Sequence, residues 1–175
     1  MLEGLRFALV LALGMATAAA GEKGTAVADK PLLVVLDFES KFDGGELGRF
    51  VANNFRAKIT RYRLFRTIED VDREEFERAA GFRPRFDMPV AEALDFATKH
   101  LKADMVMWGR VEQAGGEKLR IHTRVADRTL GPDKLRLDSA VVVPNKFAIQ
   151  LGVFKQLGEL TGLKDIRYPP LPPDA

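Results

Sequence analysis

The chain has only two histidines and two serines from which a Ser-His-Asp site could be drawn: His100, His122, Ser40 and Ser139. A Ser-His-Asp arrangement needs one serine beside one histidine, with a carboxylate orienting the ring. Neither pair of positions lies close in the sequence, and two isolated histidines lack the spacing of a zinc site. His100 falls near the end of a helical pattern, where a partial positive charge is favourable, and His122 falls on the polar side of an alternating strand. Cysteine is absent, so disulfides, thiolate metal sites, a Cys nucleophile and an amino-terminal lipid-bearing Cys are excluded. The residues predict no enzyme, no cofactor and no metal.

Two charged groups remain. Asp37, Glu39, Asp43 and Glu46 gather around the end of the first apolar run. Open α/β sheets bind ligands at that end of their strands, and oxygen ligands suit a hard cation or a cationic ligand. The same acids also suit a solvated loop that complements a helix N-terminus. Asp43-Gly-Gly-Glu-Leu-Gly48 lacks the Gly-Lys-Ser/Thr ending of a phosphate loop. Arg49, Arg56, Lys58, Arg61, Arg63 and Arg66 crowd one helical segment and its exit. They fit an acidic partner, a phospholipid surface or an anionic glycan, and equally the polar side of an amphipathic helix. With a net charge of +2 and acids close by, nucleic acid is not an expected partner.

The elements that position these residues can be read from the periodicity. Residues 7–20 form an apolar run after Arg6, and Ala18 and Ala20 make an A-x-A cleavage pattern. As a helix the run is about 21 Å long, short of the roughly 30 Å hydrocarbon core, so it reads as a signal peptide. Residues 21–30 form a linker, 31–163 one domain, and 164–175 a Pro-rich flexible tail with a PxxP pattern. Leu32–Leu36 is continuously apolar, as expected of a strand covered on both faces. Leu47, Phe50, Val51, Phe55 and Ile59 recur at helical spacing. A short strand is expected over 63–67, and a short helix over 74–80 with Thr67 or Asp72 as its cap. A third helix runs from Pro89 to about Lys102, with Val90, Leu94, Ala97 and Leu101 in its stripe.

Strands are expected over 103–113, 119–127 and 135–143, the first two joined by a hairpin turn at 114–118. Trp108 is expected in the core. Asn145 caps a last helix carrying Phe147, Leu151, Phe154, Leu157 and Leu160. The order β-α-β-α-α-β-β-β-α predicts a single α/β domain, with a mixed β-sheet of about five strands and helices packed on it.

Several segments together resemble the amino-terminal domain of TolB and its relatives, including CsgG-type curli secretion and LpoB-type envelope proteins. They are Leu32-Leu33-Val34-Val35-Leu36-Asp37-Phe38-Glu39, Gly45-Glu46-Leu47, Phe65-Arg66-Thr67-Ile68-Glu69, the strand from Leu101 to Val111, and Arg124-Val125-Ala126-Asp127-Arg128-Thr129. The resemblance implies an anticodon-binding-domain-like fold and an exported, periplasmic, non-enzymatic adaptor that docks an envelope protein, without a stable membrane span once the leader is removed. The chain departs from the lipoprotein relatives in lacking a lipobox Cys, and it carries no propeller repeats of the kind found in full-length TolB. The alternative is a ligand- or cation-binding, even hydrolytic, domain using the Asp37–Glu46 loop. A self-associating structural domain is a third reading, and extracellular release fits the leader as well as the periplasm does. The sequence leaves partner, process and oligomeric state open.

Overall fold

In the computed structural model, which describes residues 30–163, the chain forms one mixed sheet with helices on both faces. In order these are β1 (Leu33–Val35), β2 (Glu39–Ser40), α1 (Glu46–Arg61), α2 (Asp70–Ala79), α3 (Val90–Leu101), β3 (Met105–Gln113), β4 (Leu119–Asp127), β5 (Leu135–Val143) and α4 (Ile149–Thr161). The strands run β1-β3-β4-β5, and β2 also pairs with β3. β1 and β2 are parallel to β3, as Leu33 opposite Met105 and Glu39 opposite Arg110 show, and the two remaining pairings are antiparallel. The leader with Ala18 and Ala20, most of the linker, and the tail lie outside the described residues. Among the described residues no helix is long and apolar enough to cross a membrane.

The continuous run at β1 is explained by burial on both sides. Leu33 and Val35 join a core with Val51, Phe55 and Ile59 of α1 and Ile149, Val153 and Leu157 of α4. Val34 and Leu36 point the other way, into a second cluster with Val106, Trp108, Leu94 and Phe96. On β4, Leu119, Ile121, Thr123 and Val125 face the first core, while Arg120, His122 and Arg124 face outward on the second side.

Glycine at 48 and 109 permits two close approaches. A Cβ on Gly48 would lie 1.9 Å from the Phe38 carbonyl oxygen, and one on Gly109 would lie 2.5 Å from the Phe38 ring. Phe38 is thus pinned between α1 and β3, where β1 breaks off before β2. Both ends of the described domain lie at one pole: Lys30 donates to the carbonyl of Arg63, just past α1, and Leu163 comes directly after α4.

Several expectations need correction. Residues 63–67 do not form a strand. Tyr62 and Arg63 turn the chain sharply, with Arg63 at φ 47°, and only a single bridge of Arg66 to Leu32 survives. The fifth strand is instead β2. α2 begins at Asp70, four residues before the expected start, so Asp72 lies inside it and Glu69 takes the cap position without a side-chain bond. Phe50, Phe147 and Leu151 fall outside the apolar stripes, at 49%, 83% and 53% exposure. In α4 the buried face is Ile149, Val153, Leu157 and Leu160, because Asn145 first caps a 3-10 turn at Lys146–Ala148 and so shifts the phase of the helix beyond it.

Candidate functional site

The first-strand acids are held separately by local chemistry. Asp37 meets Arg56 at 2.7 Å and Arg73 at 3.6 Å. Arg56 also donates to the Val35 carbonyl, which anchors α1 to the end of β1. Arg73, 2% exposed, reaches Glu77 at 2.7 Å and Glu74 at 3.3 Å, so α2 is joined to the same network. Burial raises the Glu77 carboxyl, and the Arg73 guanidinium offsets only part of that. A cavity of about 300 Å³ beside these cations is lined by Thr60, Thr67 and Glu69.

Glu39 accepts from the Phe86 amide at 3.0 Å, the main reason its carboxyl sits below the usual range, and Lys41 lies 3.1 Å away. Asp43 accepts from the Ser40 hydroxyl and from the Gly45 and Leu47 amides at the start of α1. Burial would raise its carboxyl, but those donors outweigh it and hold it low. Glu46 is exposed in the first turn. Among the described residues no group of three or more His, Asp or Glu is placed to hold a metal.

The basic group is dispersed as well. Lys58 lies about 180° around α1 from Arg49, given about 100° per residue, and sits over the Phe154 ring. Arg56 turns inward to Asp37, Arg61 lies over Tyr62, and Arg66 reaches Asp104 at 3.8 Å. Arg49 and Arg63 are exposed.

The hydroxyl and imidazole groups find other partners. Ser40 bonds Asp43 and Ser139 bonds Glu159. His122 bonds Asp138 on the opposite sheet face from Ser139, and His100 stacks on Phe96. Trp108 is fully buried and donates its indole N–H to the Phe86 carbonyl at 3.3 Å.

Two features are not legible in the sequence pattern. On the second sheet face, the Phe86 ring meets the Arg110 and Arg124 guanidiniums, at 4.3 and 4.2 Å, and lies against His122. Nothing in the loop's composition marks Phe86, because its partners are 24 and 38 positions away. The second is an open groove of about 900 Å³ between the start of α1, the 114–118 turn and the entrance to α4. Phe42, Phe50 and Phe147 line it at 43%, 49% and 83% exposure. Asp43, Glu46, Glu117 and Lys146 also line it.

No family model matches the chain, and no curated protein is similar to it. Among solved structures, lipoprotein GNA1162 from Neisseria meningitidis matches with a TM-score of 0.54 at 12% identity, covering 77% of this chain and 99% of that one. The LpoB C-terminal domain from Escherichia coli matches with a TM-score of 0.51 at 9% identity, covering 66% and 84%. At these identities the likeness is one of fold: the chain is a single α/β domain built like the LpoB C-terminal domain, with a five-stranded mixed sheet and helices packed upon it.

Proposed function

We propose that this chain is an exported, non-enzymatic adaptor of the cell envelope that receives a protein partner in the aromatic groove. The observation carrying this reading is the convergence of exposed Phe42, Phe50 and Phe147 on one concave surface. Exposed aromatic rings in a groove are costly in water and serve as anchors when a partner covers them. Three carboxylates, Asp43, Glu46 and Glu117, against one Lys146 give the lining a negative balance. The fitting partner is an apolar segment flanked by basic residues. The leader pattern at 1–20 and the fold shared with a lipoprotein support an envelope location. The local partners of Ser40, Ser139, His100 and His122 favour docking over hydrolysis.

The test places a photo-crosslinking residue at Gln150, beside the groove, and recovers adducts from the native envelope. A partner whose crosslinked segment is apolar and basic, lost with Phe50→Ser plus Phe147→Ser and weakened by Glu46→Lys, is the expected result. Capture that ignores these substitutions, or none above background, overturns the reading.

A further inference from the structure

The outer edge of β5 is the longest unpaired strand edge among the described residues, with nine residues joined only to β4. Such an edge is a template for another strand, and proteins that keep it unpaired blunt it with charged side chains, proline or bulges. β5 carries no lysine or proline within its length, and its two charges are already paired within the chain, Asp138 with His122 and Arg124 and Arg136 with Asp127. It does carry a bulge at Arg136, opposite Val125 and Ala126, which confines any further pairing to the segment from Leu137 onward.

We infer that a second copy of this chain pairs antiparallel along β5, about a two-fold axis through Ser139. Opposed residues in an antiparallel pair must face the same side, so the axis passes through a residue. An axis at Asp138 would set two carboxylates against each other, and one at Ala140 would set the Asp138 carboxylate against the partner's apolar Val142. At Ser139, Leu137 meets the partner's Val141 and Asp138 meets the partner's Ala140. No like charges stand opposite each other. The contact is closed and isologous, so both exposed edges are consumed.

α4 supplies an independent argument. Gln156 donates to the Ser139 carbonyl at 2.9 Å, and the Ser139 hydroxyl donates to Glu159. The axis through Ser139 therefore passes beside residues 156–159. Phe154 turns toward Tyr62 of the neighbouring helical layer, whereas Leu151, Lys155 and Glu159, spaced by four, occupy the flank above the β5 edge. With the paired strands about 4.8 Å apart, the two α4 helices face each other across the axis on one side of the joined sheet. Rotation about the axis then sets Lys155 against the partner's Glu159. It also brings Leu151, 53% exposed, toward the end of the partner's α4, where Leu163 is 49% exposed. Two exposed apolar side chains that the monomer leaves in water, Leu151 and Leu163, thus fall on the α4 side of the contact.

The chain has no cysteine, so a single Ser139→Cys gives an unambiguous probe. Self-opposed Cα atoms in an antiparallel pair lie about 4.5–5.5 Å apart, within disulfide range. The full mature chain should sediment as a dimer, and Ser139→Cys should crosslink it under mild oxidation, while Lys118→Cys in the distant hairpin turn should not. Lys155→Glu should weaken dimerisation about tenfold, since the two-fold repeats each repulsive pair, and adding Glu159→Lys should restore it. A monomer at every concentration, or a dimer that Ser139→Cys fails to crosslink, overturns the inference.

Discussion

The two faces of the sheet are held by different physics. On one, α1 and α4 lay a continuous apolar layer over Leu33, Met107, Ile121 and Val125. The other is covered by α3 around Trp108, and beyond it by one ring in contact with two guanidiniums. Tolerance to substitution should divide along the same line. Apolar burial scales with area and leaves voids when cut back, whereas a cation–π contact contributes a modest amount that depends on geometry.

The largest effect is expected from Phe55→Ala. Phe55 is fully buried and stacks on Phe38 at 5.4 Å, so urea unfolding should show a loss of about 3–5 kcal/mol. Phe86→Leu keeps an apolar side chain, though a smaller one, but removes the ring that meets Arg110 and Arg124, and should cost about 1–2 kcal/mol. A loss at Phe86→Leu equal to that at Phe55→Ala would erase the distinction between the faces.

The faces also differ in legibility. Periodicity marks Val51, Phe55 and Ile59 because their burial follows from spacing within one element. It also marks β3 by its continuous apolar run and β4 by its alternation. Phe86, Arg110 and Arg124 come from three segments, and only the assembled sheet brings them together. For the same reason the partners of Asp37 are hidden in the sequence: Arg73 arrives on α2, whose start depends on how the chain leaves Arg63. Phe147 fits an apolar stripe on paper because the 3-10 turn that offsets α4 leaves no mark in composition.

The apolar face contains one polar inclusion. The Thr123 hydroxyl donates to Gln156 Oε1 at 2.9 Å, and the Gln156 amide donates to the carbonyls of Ile121 and Ser139. Thr123→Val should cost about 1–2 kcal/mol in thermal or urea unfolding, because a fully buried acceptor loses its donor. If the loss is negligible, this face is less sensitive to composition than its burial implies.

The smallest effect concerns Asp127 at the end of β4. Burial would raise its carboxyl, but the Thr129 hydroxyl and amide and the Arg136 guanidinium outweigh it and hold it low. A depressed carboxylate stabilises the fold above its unfolded-state pKa, and that contribution is lost as pH falls through the folded-state value. Asp127→Asn should therefore cost about 1 kcal/mol at neutral pH, with the gap from the parent closing below about pH 4. A gap unchanged across a pH series of melting curves would show that packing, not charge, sets the strand end.

The opposed poles of the domain have a mechanical consequence. Lys30 and Leu163 sit at one end, and the groove opens about 20 Å away along α4, at about 1.5 Å per residue. A pull between Lys30 or Leu163 and an occupant of the groove would run along the strands. Such a load stretches the rungs between β1, β3 and β4 in shear, all sharing the force, instead of peeling them apart one at a time.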